Sequence, residues 1–257
     1  MATFVLVHGA WVGAWVFRDT ARVLRAAGHE VFTPTLTGLG ERSHLNQADI
    51  SLETHILDIL GVLQAEELED VILCGHGYGG MLITAVEDRM PGRIRSLVYI
   101  DAFVPQHWDS VISILENSSC ARDYGNARRM ARDRTACRRA GELAPLPCRI
   151  FGVSPARQAA LDRRSHPQPW LTFEMPVVLA GPPRPRRRAY FVADSWADSP
   201  FLAFAERFER APQWRVRRFS CGHAIMIDQP RELSRELLKF EQEDAADHQR
   251  IHALSRT

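Results

Sequence analysis

The chain is short of nearly every signal that marks a membrane, nucleic-acid or disulfide-bonded protein. Net charge is almost absent: 32 basic against 31 acidic residues leave +1 at pH 7, so no global field draws nucleic acid or an anionic membrane. Lysine is nearly missing too. Lys239 is the only one, and the arginines that replace it are a compositional habit to which no site is assigned. No apolar run reaches the length that spans a bilayer, and residues 1–8 enter a strand pattern without a basic region or cleavage motif. A soluble, cytoplasmic protein is the expectation. The five cysteines (Cys74, Cys120, Cys137, Cys148, Cys221) form no C-x-x-C pair and are odd in number, as reduced thiols would be. The histidines are scattered without H-x-x-x-H spacing, so no metal set stands out and no cofactor is expected. There is no internal repeat.

What is present suits one large α/β domain: 257 residues, 46% hydrophobic, mean hydropathy −0.20. Apolar strand patterns at 3–8, 30–34, 70–74 and 94–100 alternate with helical periods at 17–27, 51–66 and 81–89. Gly28 is a helix-closing choice, and Ser51 an N-cap. This alternation predicts a doubly wound, mostly parallel sheet. From 105 to 174 the strand rhythm stops, and 122–139 is arginine-rich with helical spacing. This segment reads as a helical cap insertion, because sites in such sheets lie beyond the carboxyl ends of the strands. Its arginines suit a solvated face, or docking of an acidic carrier. Strand patterns resume at 175–180, 189–193 and 215–219, with helices at 200–211 and 230–241. Residues 1–104 and 175–244 form the expected core, and 245–257 a frayed tail.

The most informative absence is a single hydroxyl. The run Gly75-His76-Gly77-Tyr78-Gly79 follows an apolar strand and precedes a helix, as the G-x-S-x-G nucleophile elbow does, with glycine in the serine position. Gly77 has no side chain to attack anything, which excludes covalent acyl transfer through it. Extended to Gly80, the run also satisfies G-x-G-x-x-G, with Asp101 about twenty residues on, so a dinucleotide site is a rival reading. Against it, two strands precede this one.

Several runs together resemble the α/β-hydrolase fold, in the branch holding plant methylesterases, hydroxynitrile lyases and related bacterial esterases. They are Phe4 to Trp11, the stretch Pro34 to Arg42 with its Thr37-Gly38-Leu39-Gly40 core, Tyr99 to Pro105, and Cys221-Gly222-His223-Ala224. The resemblance implies a backbone oxyanion hole at Ala10 and Tyr78, and His223 as general base. The acid is open. The usual position falls on Trp196, so Asp101 is favoured, then Asp194, then Asp198. His8, His76 and His44 read as hydrogen-bond supports, although His76 also borders the expected pocket. Cys221, beside His223, is an alternative thiol nucleophile.

Retained acid–base and oxyanion elements without a nucleophile suggest a non-hydrolytic enzyme: His223 moves a proton and a C–C bond is made, broken or rearranged. Trp11, Phe103, Trp170 and Trp196, with Trp15 and Trp108, supply aromatic walls for a flat, apolar, aromatic or polyketide-like substrate. A silent small-molecule binder and a carboxylesterase that has lost its serine are the alternatives. The partner is a small molecule, with neither nucleic acid nor membrane, and a homodimer is left open.

Overall fold

The apolar runs pair edge to edge into one sheet. The computed structural model describes residues 1–117, 135–184, 186–196 and 199–254. Its strands are β1 (Thr3–Val7), β2 (Glu30–Phe32), β3 (Val71–Gly77), β4 (Ile94–Ala102), β5 (Glu142–Leu143), β6 (Gln168–Pro169), β7 (Arg188–Ala193) and β8 (Trp214–Phe219). Six of them form a sheet of order β2-β1-β3-β4-β7-β8, parallel at every pairing, while β5 and β6 make a separate antiparallel pair. Every residue of β3 and β7 is buried, because helices cover both faces of a parallel sheet. The strand order reverses between β1 and β3, and the crevice at their carboxyl ends is where open α/β sheets bind ligands.

The first helices lie within a residue or two of their sequence expectations. They are α1 (Arg18–Ala26), α2 (Leu52–Ala65) and α3 (Gly79–Arg89). Ser51 caps α2 through a capping box: its Oγ accepts from Thr54 N–H, and Thr54 Oγ1 accepts from Ser51 N–H at 3.2 Å. Gly28, at φ +85°, takes the left-handed turn that closes α1.

Two expectations fail. Residues 175–180 form no strand; Val177 instead exchanges backbone hydrogen bonds with Trp108 and Asp109, and Val178 is exposed. Pro176 removes a ladder donor, and the sheet position beside β4 is already taken by β7. The last helix runs Pro230–Leu254 and does not stop near 241, so most of the segment expected to fray is helical. Its acidic residues have a partner that sequence spacing cannot show. Arg95 on β4 donates to Asp244 at 2.8 Å and lies 3.6 Å from Glu241. The arginine-rich helix expected at 122–139 falls mostly outside the described residues. Among those described, no helix is long and apolar enough to cross a membrane.

Glycines set how closely the layers meet beneath the site. A Cβ on Gly79 would lie 2.7 Å from the Val7 carbonyl oxygen, and one on Gly80 only 2.0 Å from that of Phe103. Gly80, and Gly75 whose Cβ would meet Gly79 O at 2.6 Å, are two of the three glycines of the G-x-G-x-x-G pattern, and the strand that leads into it is the third in chain order, not the first that a dinucleotide unit uses. Gly80→Ala is expected to destabilise the fold by about 3 kcal/mol or more, since the clash is with backbone that cannot rotate away. Urea unfolding of the variant checks this.

Candidate active site

Three turns meet at the carboxyl edge of the sheet: Gly9-Ala10-Trp11 after β1, Gly77 at the end of β3, and Gly222-His223 after β8. Gly77 has φ +53°, a left-handed conformation that costs a residue with a side chain roughly 1–3 kcal/mol. A Cβ built there would stand 3.2 Å from His223 Nε2, so that nitrogen faces the empty side-chain position. Gly222 allows the turn to touch Gly152, where a Cβ would meet the carbonyl oxygen at 2.2 Å. His223 N–H then donates to Phe151 O at 2.9 Å.

The acid is Asp101 by geometry. Its Oδ2 accepts from His223 Nδ1 at 2.7 Å and its Oδ1 from Ala193 N–H at 3.0 Å, with the carboxyl fully buried. Asp101 itself sits at φ +43°, a bend that turns the end of β4 toward the β8 turn. Asp194 does not take this role: it is exposed at the end of β7 and accepts from Ser195 Oγ at 3.1 Å. The reason is directional, since Ala193 already points its N–H at Asp101 and the next residue faces outward. Asp198 lies outside the described residues. Trp196, at the usual acid position, presents an indole face 5.5 Å from the His223 ring.

Burial acts on both partners of the pair. It pushes His223 down to about 3 and Asp101 well above the usual carboxylate range, opposed at Asp101 by the Ala193 N–H and the Trp196 side chain. The imidazole is therefore neutral at neutral pH. Because both carboxyl oxygens accept, the ring proton belongs on Nδ1 and Nε2 is left bare toward Gly77.

These groups line a cavity of about 90 Å³. On that measure one water needs about 10–15 Å³, so there is room for a few waters or a small ring. Ala10, Trp11, His76, Gly77, Tyr78, Phe103, Trp196 and His223 all reach it. Trp170 does not: it is buried beneath the wall with its indole N–H donated to Glu174 at 2.7 Å. Trp108 is 63% exposed, and Trp15 lies outside the cavity under the Arg164 guanidinium. His76 Nε2 donates to the His223 carbonyl at 3.0 Å, supporting the turn, while its Nδ1 has no partner among the described residues. His8 bridges Gly9 O and Leu36 N–H, and His44 is exposed. Burial and neighbouring carboxylates push the Cys221 thiol up to about 12, which removes the thiolate needed for a nucleophile.

Sequence reasoning missed the other aromatic walls. Phe201 stacks on His223 at 5.2 Å and 11°, and Phe173 stacks on Tyr78 at 5.7 Å and 12°. Phe151 lies between Trp11 and Trp196. It also missed His55, whose Nε2 donates to Thr37 O and whose Nδ1 accepts from the Tyr78 hydroxyl at 3.1 Å. None of these sits in a motif; only the place of His55 on the buried face of α2, beside Leu52, Ile56 and Ile59, could have pointed to it. Among the described residues, no three His, Cys, Asp or Glu side chains gather as metal ligands.

A parallel sheet with a glycine-built strand–turn–helix and a histidine–aspartate pair at its carboxyl edge defines an α/β-hydrolase fold. The chain belongs to the alpha/beta hydrolase family, whose model matches residues 4–236. It is 48% identical over 242 residues to a carbendazim hydrolyzing esterase of Nocardioides sp. (strain SG-4G), covering 92% of this chain and 98% of that one. An α-hydroxynitrile lyase of Arabidopsis thaliana is 35% identical over 103 residues, 40% of each chain. Among solved structures, an extracellular α/β-hydrolase from a Paenibacillus species superposes with a TM-score of 0.78 at 24% identity, covering 93% of this chain and 98% of that one.

The buried neutral histidines make stability acid-sensitive. His8 and His55 are lowered to about 4 and His223 to about 3, and His76 is lowered too, in each case chiefly by burial. Their folded values lie below the unfolded one, so the unfolded chain binds more protons as pH falls below about 6.5. Each group is then expected to remove about 1.4 kcal/mol of stability per pH unit until its folded value is reached. Urea midpoints at pH 7 and pH 5 check it: a midpoint that holds steady would rule out the neutral set.

Proposed function

We propose that the chain is an acid–base catalyst that acts on a small, mostly apolar carbonyl compound without forming an acyl-enzyme. The observation that carries this is the bare Nε2 of His223 facing Gly77, 3.2 Å from where a Cβ would stand and none exists. In this reading Gly77 occupies the nucleophile position of the family. His223 takes a proton, Asp101 holds the ring and balances its charge once protonated, and the backbone amides of Ala10 and Tyr78 receive negative charge on the substrate oxygen. General base catalysis supplies about 10²–10⁴ in rate, and each amide donor about 10²–10³, so chemistry remains without the hydroxyl. Residues 105–174, as a cap, contribute Phe151 and Phe173 to an aromatic enclosure that favours a flat, aromatic or polyketide-like substrate.

The site alone favours removal of an acidic C–H or O–H proton from the substrate, followed by C–C bond making, breaking or rearrangement. A second reading is favoured by the 48% identity with the carbendazim hydrolyzing esterase. A water lodged beside Gly77 replaces the missing hydroxyl. His223 Nε2 takes its proton as the oxygen adds to the ester or carbamate carbonyl, then returns that proton to the leaving group.

Carbendazim and 4-nitrophenyl acetate serve as probes. The wild type is expected to show no product burst and no covalent adduct by mass spectrometry; an acyl adduct would sink the proposal. His223→Ala is expected to lower any turnover by about 10²–10⁴. Turnover unchanged in that variant, or saturable binding with none in either, would mark a binder. Oxygen-18 from solvent in the product selects hydrolysis over C–C chemistry. Gly77→Ser is expected to create a burst with 4-nitrophenyl acetate while costing about 1–3 kcal/mol of stability, because serine must adopt the left-handed backbone and push the His223 ring aside.

A further inference from the structure

Trp11 follows the turn that carries Ala10, and its backbone is strained at φ +64°. Every polar group of Trp11 is held by the segment between β4 and β7. Its N–H donates to Gln168 Oε1 at 3.1 Å, its carbonyl accepts from His166 N–H at 2.7 Å, and its indole N–H donates to Leu143 O at 3.1 Å. Gln168 is fully buried and has no freedom to move: its Nε2 donates to Thr172 Oγ1 at 2.7 Å, and that hydroxyl donates to Pro169 O at 2.6 Å. Thr172 also sits beside the Tyr78 hydroxyl, and its neighbour Phe173 packs against both Tyr78 and Trp11.

We infer that Gln168 is a positioning residue for the oxyanion hole, acting through Trp11 and anchored by Thr172. A residue with a side chain stays at positive φ only where its surroundings over-determine it, and here one buried amide supplies, among the described residues, the side-chain partner of the Trp11 N–H. Without that acceptor the Ala10–Trp11 peptide keeps only the carbonyl and indole tethers of Trp11, and the turn that sets the Ala10 N–H loosens. The same short segment steadies Tyr78, so both donors are set from one place. Gln168 touches no substrate in this account. The inference rests on the reading of Ala10 and Tyr78 as oxyanion donors.

The test uses 4-nitrophenol as probe, with the fraction ionised when bound read from its visible absorbance across pH. The wild type is expected to bind the phenolate about tenfold more tightly than the neutral phenol, because preformed amides favour the anion. Gln168→Met keeps the side-chain volume and removes the acceptor, and is expected to bring that preference to within about threefold while leaving neutral-phenol affinity unchanged. Thr172→Val, which loosens Gln168 without touching Trp11, moves the preference the same way by less, and Thr172→Ser restores it. These last two variants decide the matter if Gln168→Met does not fold. A wild-type preference that survives in Gln168→Met, or in Thr172→Val should that variant alone fold, overturns the role of Gln168 and leaves the oxyanion hole standing. No preference in the wild type overturns the hole, and this inference with it.

Discussion

The hydrogen bond from His223 Nδ1 to Asp101 Oδ2 is the constraint on which the site depends. It joins the ends of β4 and β8, which are not neighbours, because β7 lies between them. The carboxyl reaches across by leaving β4 in a left-handed bend, and β7 contributes by donating Ala193 N–H to its second oxygen. A buried carboxylate is costly unless its oxygens are satisfied, and here both are. With the ring tethered on one side by Asp101, stacked on Phe201 and fixed through its backbone to Phe151, Nε2 has one direction left to face. That direction is Gly77.

The glycines around this bond serve packing first. Gly79, Gly80 and Gly222 let backbone meet backbone beneath and beside the site, whatever reagent residue 77 carries. The shape of this elbow therefore does not depend on the side chain at residue 77. The left-handed turn at Gly77 suits glycine better than any residue with a side chain. The chemistry proposed for the site is accordingly electrostatic and acid–base.

Much of this was legible in the sequence for reasons that are local. Uninterrupted apolar runs announced buried parallel strands, and glycine spacing announced turns that only glycine can make. The two ends of the site, at Ala10 and His223, lay in such turns. The acid was legible only as a ranking with Asp101 first, because Asp101 and Asp194 both stand at the ends of buried strands and only the bend at Asp101 decides which one points inward. The stretch 175–180 looked like a strand on hydrophobicity alone, yet strand identity depends on a free edge to pair with. Phe151, Gln168 and Phe173 come from a segment without motif or clear periodicity, and their roles arise from where the chain returns, not from what precedes or follows them. Trp170 shows the converse, a large aromatic in the right segment that turns its polar edge to Glu174 and lies under the wall.

A histidine pushed down to about 3 by burial is a weak base at rest, which sets a condition on any reaction it serves. The imidazolium is disfavoured because little solvent reaches it, and the same scarcity of solvent strengthens its attraction to a nearby anion. At an effective dielectric of about 20, opposite charges about 4 Å apart attract by roughly 4 kcal/mol, which offsets about three units of lost basicity. In the proposed reaction, proton transfer to His223 is therefore favourable only in the step that also places negative charge near the Ala10 and Tyr78 amides. The pair is indifferent to a neutral bound molecule and responds to one becoming anionic. Transition-state selectivity of this kind follows from burial together with the Asp101 tether, and it requires no side chain at residue 77.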